Sequence, residues 1–249
     1  FSKTINMSGV NSINWARIIA QAVYYFYAFF KVGNGQPISF SVPTGNFGDI
    51  YAGYLAKKLG LPVDRLIVAT NKNDILHRAI SGGDYTQKKV EETNTPSMDI
   101  QIASNFERLL YEVKDCNSEV TKDVMSKIKN NTYKIDKSDL DKIKKNFTSE
   151  MLDEKETVEM IKIINEEHQI VVDPHTAVGI GAARKLGLKK NCVVLSTAHP
   201  CKFPNAIEDA ISKTEDLPDS LNYVNDRKEK FEVLSNDIEK VKKYVMNSI

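Results

Sequence analysis

The chain has 249 residues and a formal net charge of +1, with 41% hydrophobic and 27% charged residues. This balance is typical of a globular protein with a full core, and it gives no charge field that would recruit nucleic acid or a membrane surface. Three cysteines at irregular spacing are too few for a disulfide framework or a zinc site, which favours a reducing, cytoplasmic setting. No apolar run approaches the roughly 20 residues that a membrane-spanning helix needs.

The first strong pattern along the chain is helical. Apolar residues cover a broad face over residues 15–30, which predicts a mostly buried helix, with Asn11, Ser12 or Asn14 as its cap. Arg17 follows one turn later, so this helix start presents amides and a guanidinium together, a suitable seat for an oxyanion. Plain capping beside a surface arginine is an equally good interpretation.

The most informative segment is residues 38–49. A short β-rich run ends at Pro43, the turn Thr44-Gly45-Asn46-Phe47-Gly48 follows, and a helical pattern begins at Asp49. Such a turn can seat an anion, because the first N–H groups of a helix are unpaired, the helix dipole favours negative charge, and glycine allows close approach. We interpret residues 44–49 as a phosphate loop, with an ordinary tight turn as the alternative. The segment is neither a Walker loop nor a three-glycine dinucleotide fingerprint.

Helices and strands alternate through the rest of the chain. Further helices are predicted at 50–59, 74–80, 153–168 and 174–186, and strands at 38–42, 65–70, 170–172 and 192–196. A charged, mainly helical excursion is expected at about 112–147. This order predicts an α/β fold, a three-layer αβα arrangement with a mainly parallel sheet, and one domain over residues 1–249.

Polar residues follow three of the predicted strands, at residues 44–48, 173–176 and 196–200. Because ligands of parallel sheets bind beyond the carboxyl ends of the strands, we expect a cleft there. The Thr197 hydroxyl can hydrogen-bond a heteroaromatic nitrogen, whereas Asp173 before Pro174 is better explained as a helix cap. His175 and His199 could orient a substrate or carry a proton, but neither has a partner at metal-ligand spacing, so no metal is expected.

Five segments, taken together and in order, resemble the threonine synthase family in its longer, pyridoxal-phosphate (PLP) form. They are residues 11–14, 43–49, 69–71, 173–177 and 197–203. The resemblance implies a tryptophan-synthase-β-like, fold-type-II architecture, in which the cofactor lies between two α/β domains. This chain is similar to the carboxyl-terminal domain.

The resemblance also implies roles for individual residues. The cofactor phosphate would be held by the loop residues Gly45, Asn46, Phe47, Gly48 and Asp49. Thr197 would face the pyridine nitrogen, and Asn14, Arg17 and His175 are candidates for binding the substrate. Two positions depart from the family pattern, because Thr44 replaces an expected serine and Cys201 stands where alanine is common.

The Schiff-base lysine of the family is missing from the sequence. It belongs to a Ser-Phe-Lys-Asp motif that precedes all the segments above, and the nearest approach, Phe1-Ser2-Lys3-Thr4, lacks the aspartate. No catalytic residue is therefore assigned in this chain, which we expect to be inactive without an amino-terminal half. The start at Phe1, without methionine or a signal pattern, likewise suggests a piece of a longer protein.

The intact enzyme implied by the resemblance converts O-phospho-L-homoserine and water to L-threonine and phosphate. Two alternatives stay open: another fold-type-II PLP lyase or dehydratase, and a non-catalytic, threonine-synthase-like binding module. A Ser-x-Lys-Asp motif upstream in the parent gene would distinguish a fragment from a relic.

Overall fold

The computed structural model describes residues 1, 4–5, 8–188, 190–224 and 226–248, so Ser2 and Lys3 of the nearest lysine motif lie outside the described residues. The chain divides into two compact units. The larger is Val10–Glu215, and the smaller combines Phe1–Gly9 with Asp216–Ile249.

A parallel sheet forms the centre of the larger unit. Within the described part of the chain it has four strands in the order β3-β2-β1-β4, namely β1 (Ile38–Pro43), β2 (Val63–Thr70), β3 (Phe147–Met151) and β4 (Cys192–Val194). Leu66 and Val68 of β2 join the core cluster on one face, and Ile67 and Ala69 join a second cluster on the other. Burial on both faces explains why residues 66–69 of β2 are apolar without alternation.

Helices cover both faces of this sheet. They are α1 (Trp15–Val32), α2 (Gly48–Lys58), α3 (Ile75–Gly82), α4 (Phe106–Val113), α5 (Ser118–Lys129), α6 (Lys137–Lys144), α7 (Glu154–His168), α8 (Pro174–Lys185) and α9 (Pro204–Ile211). Helix α8 packs against all four strands on one face, while α2 and α3 pack against the other and α1 lies over α2. The predicted α/β fold with a parallel sheet between helical layers is confirmed.

The helix starts follow from their capping residues. Asn14 caps α1 by accepting a hydrogen bond from the N–H of Ala16, and Asp153 begins α7 with a capping box that Glu156 completes. Asp173 caps α8, with Pro174 at the first helical position, as the sequence predicted.

One predicted strand is wrong, and one strand was not predicted. Residues 170–172 form no strand and connect α7 to α8, where Val171 and Val172 pack against the small cluster around Ile161. The sheet edge is formed instead by β3, which pairs with β2. Strand β3 was missed because its five residues Phe-Thr-Ser-Glu-Met carry too few apolar side chains to show a strand pattern.

The prediction of a mostly buried α1 is also wrong. Only one face is buried, formed by Ile18, Ala22, Tyr25 and Phe29, whereas Phe30 is 78% exposed. Helix α1 packs against α2 and, through Tyr25, against Phe40 of β1, and this one face is the part of α1 that reaches the core.

Helices α5 and α6 occupy the charged segment at about 112–147. Their sparse apolar residues, including Val124, Ile128 and Ile143, are buried in the same cluster as residues of β1 and α1.

The smaller unit contains helix α10 (Ile238–Asn247), which Asp237 caps. Nowhere among the described residues is there a helix of the length and apolarity needed to cross a membrane.

Candidate active site

The phosphate loop joins β1 to α2 with its backbone amides unpaired. No acceptor in the described part of the protein takes a hydrogen bond from the backbone N–H groups of Gly45, Asn46, Phe47, Gly48, Asp49 and Ile50. The flanking amides are paired, because Thr44 N–H donates to the Ala69 carbonyl at 2.8 Å and Tyr51 N–H donates to the Phe47 carbonyl at 3.1 Å. A run of unpaired N–H groups at a helix start can bind an anion.

The loop owes its shape to Phe47. This residue has a φ of 63°, in the left-handed region that a bulky residue rarely adopts. Its side chain holds it there, since the ring is buried 5.1 Å from the ring of Phe106 and 5.5 Å from that of Phe147. A left-handed residue between extended and helical backbone brings successive N–H groups onto one concave surface.

Both glycines of the loop lie against other backbone or side-chain atoms. The carbonyl oxygen of Ser97 occupies the space that a β-carbon on Gly45 would need. A β-carbon on Gly48 would lie 3.2 Å from Asn105 Nδ2. Ser97 and Asn105 therefore pack closely against the loop, which also lines a small cavity.

This cavity has a volume of about 120 Å³ and brings the loop together with the start of α1. It is lined by Ser12, Arg17, Gln21, Pro43, Thr44, Gly45, Asn46, Phe47, Gly48 and Asp49. The sequence predicted two separate anion-binding sites, one at Arg17 and one at the loop. In the structure both line the same cavity. Gln21 was not predicted, although it follows Arg17 by four residues and so lies on the same helix face.

Arg17 is exposed, and within the described residues its guanidinium has no ion-pair or hydrogen-bond partner. Asn14, the other polar candidate on this segment, uses its side chain to cap α1 at 2.9 Å from the N–H of Ala16. Among the described residues that line the cavity, Arg17 is the one with a basic side chain.

Asp49 contributes its backbone to the loop while its carboxyl group faces α1. The Tyr25 hydroxyl donates to the Asp49 carbonyl at 2.8 Å and to Asp49 Oδ1 at 3.1 Å. Burial raises the pKa of Asp49 to about 6, although the hydrogen bond from Tyr25 opposes this shift.

Thr197 lies in the exposed segment after β4. Val194 pairs with Ser41 of β1, and Thr197 and Thr44 each lie three residues beyond this pair, at the same edge of the sheet. Thr197 does not line the cavity around Arg17. His199 lies in the same exposed segment, where its Nδ1 accepts from the N–H of Cys201 at 3.3 Å.

His175 is buried and also lies outside the lining of this cavity. Its Nδ1 lies 3.1 Å from Asp173 Oδ1, its ring packs 4.9 Å from that of Phe203, and its buried Nε2 has no hydrogen-bond partner among the residues that the structure describes. The Thr176 hydroxyl links this group to the segment of Thr197 by donating to Ser196 Oγ at 3.3 Å.

Residues of the α3–α4 connection complete the site, and sequence reasoning missed them. Ser97 packs on Gly45, Ser104 Oγ donates to Asn46 Oδ1 at 3.4 Å, and Asn105 contacts the loop backbone. These residues belong to no strand–turn–helix pattern, so no local signal marked them.

Known proteins with similar sequences and structures identify the family. Residues 176–245 match a family model described as threonine synthase, C-terminal. The threonine synthases of Pseudomonas aeruginosa and Saccharomyces cerevisiae are each 43% identical to this chain, over 98% and 97% of it. The PLP-bound threonine synthase of Brucella melitensis aligns with a TM-score of 0.92 and 43% identity, over 99% of this chain and 54% of that one.

The parallel sheet between helical layers is the fold of the PLP enzymes of fold type II. Within that class, the chain belongs to the threonine synthase family and corresponds to the carboxyl-terminal portion of its members. It spans about half the length of the curated relatives it matches, 53% for both the Pseudomonas and the yeast enzyme.

Proposed function

We propose that this chain is the cofactor-binding half of a threonine synthase, which converts O-phospho-L-homoserine and water to L-threonine and phosphate with PLP. The observation that carries this proposal is the run of unpaired amides at residues 45–50, on a chain that matches a PLP-bound threonine synthase over 99% of its length.

The loop residues suit the phosphate group of the cofactor. The backbone N–H groups of Gly45, Asn46, Phe47, Gly48 and Asp49 would bind its oxygens. When bound, PLP supplies an electron sink that stabilises the carbanions of the elimination and addition steps.

Thr197 would donate its hydroxyl hydrogen to the pyridine nitrogen of the cofactor. A neutral hydroxyl at that position leaves the nitrogen without a full positive charge, which moderates electron withdrawal by the ring. Its place at the same sheet edge as Thr44 supports this role.

Arg17, with Asn14 beside it, would seat the phosphate of the substrate. A guanidinium binds phosphate oxygens with two parallel hydrogen bonds, and Arg17 lines the cavity without forming an ion pair with any carboxylate of the described residues. His175 would contribute to substrate binding. Its ring packs against that of Phe203, which holds it in its buried position.

The amino-terminal half would supply the Schiff-base lysine that holds the cofactor and moves the proton at Cα of the substrate. The relatives are about twice as long as the matched region, which supports a second half of this kind. The free thiols of Cys116, Cys192 and Cys201 support a reducing, cytoplasmic setting.

The test uses the complete enzyme, in which this chain is joined to the amino-terminal half of its parent protein, beside this chain alone. With PLP, the complete enzyme should gain a visible absorption band and release phosphate and L-threonine from O-phospho-L-homoserine, whereas this chain alone should do neither. A complete enzyme that binds PLP but releases no phosphate would contradict the assigned reaction. One that binds no PLP would contradict the cofactor role.

A further inference from the structure

Asn105 connects the phosphate loop to the start of α1. It is fully buried and immediately precedes α4. Its backbone N–H donates to the Asn46 carbonyl at 3.0 Å, and its side-chain Nδ2 donates to the same carbonyl at 3.2 Å and to the Ser12 carbonyl at 2.9 Å. One amide group therefore ties together the two segments that line the cavity.

Arg108 fixes the orientation of that amide. Its Nε donates to Asn105 Oδ1 at 3.1 Å, so the Nδ2 of Asn105 must face the two carbonyls. The Nη2 of Arg108 donates to the Ile13 carbonyl at 2.9 Å, and the guanidinium lies over the Trp15 ring at 5.2 Å. The beginning of α1 is thereby held at Ser12, Ile13 and Trp15.

These contacts bear on the free amides of the loop. A trans peptide group directs its carbonyl and its N–H to opposite sides, and the chain contains no cis peptide bonds among its described residues. By holding the Asn46 carbonyl, Asn105 therefore directs the N–H of Phe47 to the other side of that peptide group. By holding the Ser12 carbonyl, it fixes the segment that carries Arg17 relative to the loop.

We propose that Asn105 is a positioning residue that sets the distance between the cofactor-phosphate seat and the substrate-phosphate seat. It does not line the cavity, so it acts through the backbone of Asn46 and Ser12. This inference rests on the proposed function, because it concerns the two phosphate groups of that reaction.

Asn105→Ala in the complete enzyme tests the proposal. Both the Kd for PLP and the KM for O-phospho-L-homoserine should rise, each by about tenfold, the equivalent of losing one good hydrogen bond. Val124→Ala is the control, since it opens a cavity in the core at a buried residue of α5 that does not line the site. It should lower the free energy of unfolding and leave both constants unchanged.

A second measurement separates positioning from general destabilisation. Arg17→Ala should raise KM less in the Asn105→Ala background than in the unaltered enzyme, because the segment carrying Arg17 is already displaced there. Should Asn105→Ala fail to fold, Arg108→Ala releases the same amide and should change both constants in the same direction.

The proposal is overturned if Asn105→Ala, or Arg108→Ala in its place, leaves both constants at the unaltered values. It is also overturned if the two constants change no more than in Val124→Ala. Failure of the proposed function looks different, because the unaltered complete enzyme would then bind no PLP or release no phosphate.

Discussion

The carbonyl oxygen of Ser97 fills the space beside Gly45 that any other residue would need for its β-carbon. Gly45 does not have the left-handed backbone that favours glycine. Glycine is required at position 45 because the backbone of Ser97 lies so close. This contact packs the phosphate loop against the α3–α4 connection.

Gly45→Ala should therefore damage the loop itself. Either the loop or the Ser97 segment must move, and the amides lose their common direction. In the complete enzyme we expect the Kd for PLP to rise by about tenfold or more, measured by titration of the visible absorption band.

Gly82→Ala is the matched control for this change. A β-carbon at Gly82, the last residue of α3, would meet no atom of the described residues within 4 Å, and its φ is not in the left-handed region. Equal PLP affinity in the two glycine variants would show that the loop does not hold the cofactor.

Arg17→Ala should raise the KM for O-phospho-L-homoserine or sharply lower kcat/KM. Removing a charged hydrogen bond to phosphate costs about 1.5–3 kcal/mol, or roughly tenfold to a hundredfold in kcat/KM. Arg65→Ala, at an exposed arginine of β2 outside the cavity, should leave steady-state kinetics unchanged. A rise in the Kd for PLP with unchanged KM would instead assign Arg17 to the cofactor phosphate.

Asp49→Asn should change the pH dependence of stability. Because burial raises the pKa of Asp49 to about 6, the folded chain holds this proton more tightly than the unfolded chain does. The wild-type chain therefore loses stability from this group as pH rises from about 4 through 6. Asp49→Asn removes that loss, so its free energy of unfolding should exceed the wild-type value above pH 6 and approach it below pH 4.

Urea titrations at several pH values measure the difference in free energy of unfolding between Asp49→Asn and the wild type. Asp84→Asn is the control, because the pKa of Asp84 is shifted in the opposite direction. Hydrogen bonds from Thr86 and Arg78 lower the pKa of Asp84 to about 2, so its contribution is present above the unfolded pKa and is lost as pH falls through 2. Asp84→Asn should be destabilising at neutral pH. A pH-independent difference for Asp49→Asn would contradict the raised pKa.

Thr197→Val should impair catalysis more than Thr197→Ser. Valine removes the hydroxyl that would face the pyridine nitrogen at nearly constant volume, whereas serine keeps it. We expect Thr197→Val to lower kcat and shift the visible band of bound PLP, with Thr197→Ser close to the unaltered enzyme. Matching kcat values and spectra in all three proteins would remove the hydroxyl from the mechanism.

The parts of the fold and site that depend on local sequence were predictable. The strand, glycine turn and helix around Gly45 form one continuous segment, and the cap at Asp173 is a contact between near neighbours. The family resemblance, which rests on such short segments, was confirmed by the relatives and their structures.

Features that depend on packing between distant segments were not predictable. Which side of α1 is buried depends on its packing against α2 and Phe40, and β3 is a strand because β2 offers it an edge. Asn105 reaches Asn46 and Ser12 across long stretches of chain, which no spacing rule reveals.

A crystal structure of the complete enzyme with PLP is the most direct test of the phosphate loop. We predict that the cofactor phosphate lies within hydrogen-bond distance of several backbone N–H groups of Gly45, Asn46, Phe47, Gly48 and Asp49. A phosphate held elsewhere by side chains, with these amides still unpaired, would contradict the assignment.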